Sequence, residues 1–256
     1  MKNLYPLAFA IVIGLAGCGK KTASPGTSQG NFQPETAGSQ WTYAVSENFN
    51  PSNSVLMVAA EAQLGTTFPP FDTSYSETLT ALSRDTSIGG LQYSIISADS
   101  VANNNIYSSI QGTDYYGIGV IPDFVLSGVG GVGTELPVLY LKDQPAKTTW
   151  TQSVIGVGAA PGTTDTTVYT ITINSINGTL LVNGTTYTGV TDETVKILPG
   201  GLTALAAGAG VPAGIDLSLT GDYYFARGVG LIEVDVNSSL YGFQYTQKLT
   251  SSSIIK

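Results

Sequence analysis

The chain has 256 residues, enough for one large β domain, with 10 basic against 18 acidic residues, no histidine and a net charge of −8. Without histidine, Ser-His-Asp and Cys-His catalysis and the usual zinc sites are excluded, and the acidic balance disfavours nucleic acid or an anionic membrane surface as an electrostatic partner. Charged residues are 11% of the chain, against about 25% in an average soluble protein, so Ser, Thr and Asn must supply the polar surface.

The first element is an apolar stretch from Leu4 to Leu15 after Lys2, closed by Leu15-Ala16-Gly17-Cys18. It is shorter than the roughly 20 residues of a membrane-spanning helix, and reads as a signal-peptide core. The run resembles a bacterial lipobox, which implies cleavage after residue 17 and a diacylglycerol on Cys18, the single cysteine of the chain. An ordinary secretory signal is the alternative. Residues 18–39 are Lys, Thr, Ser, Pro, Gly, Gln and Asn with almost nothing apolar, and read as a lipidated flexible tether. With its one cysteine acylated, the chain can form no disulfide.

The folded domain is expected over residues 40–256. Trp41 to Val45 alternates as a strand with one buried face, Val55 to Leu64 is long enough for a short helix, and Leu91 to Ile96, Ile106 to Ile110, Tyr115 to Ile121 and Val138 to Leu141 read as further strands. Another strand is expected around Trp150, and Val168 to Ile173 alternates most clearly. Asn177-Gly178 and Asn183-Gly184 then suggest two successive tight hairpin turns. Leu202 to Ala209 suggests a second short helix, and Tyr223 to Val236 and Gly242 to Ile255 complete the strands. Leu126 to Gly133 and Leu198 to Gly214 are Gly-rich inserts. The predicted class is all-β: one highly curved antiparallel sheet, a half-barrel or open barrel, with one or two short helices.

Two motif matches carry no chemistry. Gly128 to Gly133 fits G-x-G-x-x-G, but Pro137 falls where the phosphate-binding helix would run. Gly14 to Lys20 has P-loop spacing but lies across the signal cleavage site, and Lys21 stands where Ser or Thr is required. The paired acids Asp192-Glu193 and Glu233/Asp235 read as groups that keep strand edges soluble, with Glu233 or Asp235 the expected partner of Arg227. Gly228 and Gly230 read as the bend of one sharply curved strand. No catalytic residue, metal site or cofactor is expected. Asn177, Asn183 and Asn237 lie in Asn-x-Ser/Thr triplets and Asp99-Ser100-Val101 matches a short O-glycan acceptor pattern, both weak signals.

Gly38 to Tyr43, Thr148-Thr149-Trp150, Gly184 to Tyr187 and above all Tyr223 to Ile232 together resemble bacterial envelope lipoproteins of the Bacteroidota type, in the DUF3108 and LolA-like class. That resemblance implies a curved sheet folded around an apolar cavity, and with it a non-catalytic lipoprotein that binds a lipid or other hydrophobic ligand, or an envelope partner, in its concave face. A surface structural or adhesive module with a filled core is the competing expectation. Gly19 after Cys18 resembles an outer-membrane sorting signal, and the basic Lys20-Lys21 favours the periplasmic leaflet over surface export. The membrane, through the lipid anchor, is the expected partner; no protein partner is legible.

Overall fold

The computed structural model describes residues 31–65, 67–99, 105–118, 137–157, 164–200, 206–208, 211 and 214–255. Cys18, the signal segment, residues 18–30 of the expected tether and the Gly128 to Gly133 loop lie outside them. Twelve strands make one antiparallel sheet: β1 (Gln40–Phe49), β2 (Phe71–Ile88), β3 (Leu91–Ala98), β4 (Asn105–Gln111), β5 (Asp114–Ile118), β6 (Val138–Lys142), β7 (Thr149–Val157), β8 (Thr164–Val182), β9 (Thr185–Leu198), β10 (Leu219–Ala226), β11 (Gly230–Ser238) and β12 (Phe243–Ser253). Strands adjacent in sequence pair with one another except β6 and β7, and β1 pairs with β12, so the order runs from β6 through β1 and β12 to β7. The result is a nearly closed, barrel-like sheet, as the alternation predicts.

The seam between β6 and β7 is bridged by side chains in place of a backbone ladder. The Gln152 amide accepts from Leu139 N at 2.8 Å and donates to Pro137 O at 2.8 Å, as an opposing strand residue would. Trp150 Nε1 donates to Leu139 O at 2.8 Å, and Lys142 Nζ lies 5.5 Å from the Trp150 ring centre.

Strand β10 shows why such segments become strands. Leu219, Gly221, Tyr223 and Phe225 point into the core while Thr220, Asp222 and Tyr224 are half-buried on the other face, the period of two that a pleated sheet imposes. Gly221 leaves room for a neighbour, because a Cβ there would stand 2.5 Å from Val236 Cγ2.

Helix α1 (Val55–Leu64) forms where the apolar run predicts it. Ser54 caps it by accepting from Met57 N at 3.0 Å, and Gly65 ends it in the left-handed region at φ 63°. The Ser54 hydroxyl also donates to Leu240 O, and Leu56, Met57 and Ala60 are buried in the core. In an up-and-down meander this places α1 at the barrel end that carries the β11–β12 turn. Of the second expected helix, only 206–208 fall among the described residues, and they are helical.

Two local expectations are corrected. Asn177-Gly178 is not a hairpin turn: Asn177 takes φ 56° inside β8, where the register with β9 shifts, and the turn is made by Asn183 and Gly184, at φ 47° and 82°. β8 and β9 therefore form one long ribbon, its tip held where Asn183 Nδ2 donates to Leu249 O at 3.0 Å. Tyr223 to Val236 is likewise two strands rather than one bent strand, with Gly228 (φ 73°) and Gly230 (φ 107°) making the β10–β11 turn between them.

Candidate functional site

The interior is where the lipoprotein resemblance implies a ligand, and among the described residues it is occupied by the protein's own side chains. Trp41, Tyr43, Tyr140, Tyr223, Phe225 and Phe243 are each at most 3% exposed. Trp41 Nε1 donates to Val229 O at 2.5 Å and Tyr43 Oη to Leu231 O at 2.9 Å, so these amphipathic rings fill the space and satisfy their polar ends. A row of ring contacts crosses the barrel: Phe225 to Tyr140 at 5.7 Å, Tyr140 to Tyr115 at 6.4 Å and Tyr115 to Phe32 at 6.0 Å between centroids.

Phe32 belongs to a segment read from the sequence as tether. Among the described residues, packing is already in place from Asn31, ahead of residue 40, and residues 31–39 form a strap over the barrel end opposite α1. Asn31 O accepts from Gly228 N at 2.8 Å, Phe32 N donates to the Tyr115 hydroxyl at 3.3 Å, and Gly38 N donates to Ala81 O at 2.8 Å. Phe32 is 1% exposed, with the Arg227 guanidinium 4.3 Å above its ring. Arg227 is in turn held by both oxygens of Asp143, at 2.9 and 2.5 Å. Asp143 therefore takes the place expected for Glu233 or Asp235, and Glu233 pairs with Lys248 at 2.9 Å.

Glu35 belongs to the strap itself, and its carboxyl reaches β3. Ser94 donates to its Oε2 at 3.1 Å, while Oε1 is buried without a hydrogen-bond partner. Burial pushes the Glu35 carboxyl up to about 7; the nearby Ser108 and Ser94 hydroxyls oppose the shift and the Asp85 charge adds to it. Ser94 and Ser108 are paired across β3 and β4, which brings both hydroxyls to one spot.

Glu193 is a second buried acid. Asp192 and Glu193 do not sit on a strand edge: β9 pairs with both β8 and β10, Asp192 accepts from Asn174 Nδ2 at 3.0 Å, and Glu193 is fully buried with neither oxygen hydrogen-bonded. Burial raises it well above the usual carboxylate range; the Asp192 charge adds to that and the Lys142 backbone amide opposes it. Both carboxyls are thus favoured in their neutral, hydrogen-bond-donating form. Of the two, Glu193 is fully enclosed, while Glu35 is partly exposed. Among the described residues there is no group of three or more Cys, Asp or Glu side chains placed to hold a metal.

Two surface depressions complete the description. Ala44, Val45, Ser46, Ser74, Tyr75, Ser76, Asn183, Thr246 and Lys248 line a groove of about 420 Å³, and an Asn- and Ser-rich hollow of about 180 Å³ lies beside the β11–β12 turn, with Asn237 in its wall. Sequence reasoning missed Glu35, Glu193 and Asp143. The one signal for the strap was Phe32, the sole aromatic residue between Gly19 and Ser39.

No protein-family model matches the chain, and no curated protein matches it by sequence. Among solved structures, it is similar to a candidate exported protein with a YmcC-like fold from Bacteroides fragilis NCTC 9343, at 7% identity and a TM-score of 0.40, covering 88% of this chain and 99% of that one. It is also similar to a candidate lipoprotein from Parabacteroides distasonis ATCC 8503, at 10% identity and a TM-score of 0.36, covering 89% of this chain and 100% of that one. Likeness at this level carries neither fold nor function over to this chain, and the DUF3108 and LolA-like resemblance draws no support from it.

Proposed function

We propose that this chain is a lipid-anchored, non-catalytic module of the bacterial cell envelope, whose barrel is filled by its own side chains and whose working surface is its exterior. The observation that carries this reading is the interior of Trp41, Tyr43, Tyr140, Tyr223, Phe225 and Phe243, each at most 3% exposed, between α1 at one end and the strap at the other. An apolar concavity is unfavourable in water until something fills it, and here aromatic side chains take the role that a ligand would have. The lipobox-like run before Cys18 supports the anchor, Gly19 supports the outer membrane, and Lys20-Lys21 supports its periplasmic leaflet.

A hydrophobic ligand in the concave face is the competing reading. It requires the strap to leave, and the observation in its favour is that the docked strap buries its own Glu35 Oε1 without a partner, which undocking would return to water. Titration of the whole chain with an environment-sensitive fatty-acid probe separates the two. The filled barrel predicts no saturable binding, either by the wild type or by Phe32→Ala, which loosens the strap. Binding by Phe32→Ala alone supports a gated carrier, and binding by both supports an open one. Fractionation of Cys18→Ser, with loss of membrane association expected, tests the anchor.

A further inference from the structure

Strand β2 has two unlike halves. Leu79 and Thr80 lie between neighbours and Asp85 to Ile88 pair with β3 alone after a register shift, whereas Phe71 to Thr78 pair with β1 alone, the ladder to β3 beginning at Leu79. Residues 71–76 are all exposed, including Phe71 at 40% and Tyr75 at 37%. The backbone bonds at the end of this run give the direction of its free groups. Thr78 N donates to Asp99 Oδ1 at 2.6 Å and Asp99 N to Thr78 O at 3.0 Å, on the side away from β1, while Ala81 bonds Gly38 and Ser39 on the β1 side. In a strand this alternates, so Asp72, Ser74 and Ser76 present N–H and C=O to solvent.

Such an edge is a template for pairing, and proteins ordinarily blunt it with charged side chains, lysine above all, with proline or with a bulge. Phe71 to Glu77 carries Asp72 and Glu77 but no lysine, proline or bulge, and its register with β1 is unbroken. Pro69-Pro70 stops the run on one side and the Asp99 cap on the other, leaving seven residues centred on Ser74. An antiparallel edge with a central outward-bonding residue can pair with its own copy. About Ser74, Asp72 meets Ser76 of the second copy, Thr73 meets Tyr75 and Phe71 meets Glu77. No two acids face one another, and the Thr–Tyr pair is a favourable cross-strand combination. An axis at Asp72 would instead set two carboxylates opposite each other.

We propose that the edge of β2 whose outward backbone groups are those of Asp72, Ser74 and Ser76 pairs antiparallel with the same edge of a second copy of this chain about a two-fold axis at Ser74. The whole chain tests this in detergent, with Cys18→Ser as background so that one introduced thiol is the only one present. Ser74→Cys is expected to give a disulfide-linked dimer under mild oxidation, because the two thiols meet at the axis. Ser87→Cys, also exposed but on the half of β2 that pairs with β3 and follows the register break between Ala81 and Asp85, is expected to stay monomeric. Proline is tolerated on an edge whose N–H faces solvent, so adding Ser76→Pro to Ser74→Cys should abolish the crosslink and leave thermal unfolding unchanged. Absence of the Ser74→Cys dimer overturns the proposal. So does equal crosslinking by Ser87→Cys, survival of the crosslink beside Ser76→Pro, or crosslinking of Ser74→Cys in cells to a different protein alone.

Discussion

Strand β10 and the first half of β2 alternate alike in sequence, yet one forms a core and the other an open edge. Leu219, Tyr223 and Phe225 of β10 are at most 3% exposed because β9 and β11 flank the strand and rings from across the barrel cover it. Phe71 and Tyr75 of β2 have one flanking strand and stay 37–40% exposed. Alternation decides which side chains share a face; neighbours supplied from far along the chain decide whether that face is buried.

The largest expected effect contrasts two phenylalanines. Phe225→Ala should cost about 3–5 kcal/mol, as removal of a fully buried aromatic ring does, whereas Phe71→Ala should cost about 1–2 kcal/mol, since the side chain is 40% exposed and its ring packs on Phe49. Chemical denaturation of both variants checks this, and similar losses would erase the contrast.

Glu35 extends the comparison to an acid. Its carboxyl is raised in the folded state from 4.5 to about 7, so the folded form holds the proton more tightly. Its contribution is fully present below pH 4.5 and is lost as pH rises through 7. Glu35→Gln removes this dependence: the variant should match the wild type near pH 4 and exceed its stability by about 3 kcal/mol near pH 8. Parallel stability profiles for the two proteins would place Glu35 in water, with the strap undocked.

Smaller effects are expected at turns. A Cβ at Gly228 would meet nothing within 4 Å, but the residue sits at φ 73°, so Gly228→Ala should cost about 1–2 kcal/mol through backbone conformation alone. An unchanged melting temperature would show that the β10–β11 turn adapts. Asn183→Gly keeps the turn and removes the hydrogen bond to Leu249 O; a loss of about 0.5–1.5 kcal/mol is expected, and no loss would mean that the ribbon tip adds nothing to stability.

The all-β class, α1 and most strands were legible because alternation, caps and apolar runs are local. Trp41 to Val45 and Val168 to Ile173 carry their pattern in a few residues, and both lie within strands. What was not legible depends on distant partners. Phe32 looks like one stray aromatic in a polar stretch until Tyr115 and Arg227 are brought to it. Asp192 and Glu193 look alike as neighbours, but the pleat sends them to opposite faces, and only the barrel makes one of those faces an interior. Asn-Gly at 177 and 183 is the same dipeptide in two settings, a bulge where β9 continues alongside and a turn where the ribbon ends. Asp143 reaches Arg227 because consecutive turns gather at one end of a meander, a consequence of topology that no local motif announces.

The filled interior is the central claim, and the mass of the intact protein taken gently from membranes tests it most directly. Native mass spectrometry should give the mass of the processed, acylated chain, or of its dimer, with no further bound species. A stoichiometric extra mass in the range of a lipid, released on unfolding, would contradict a barrel closed by its own side chains.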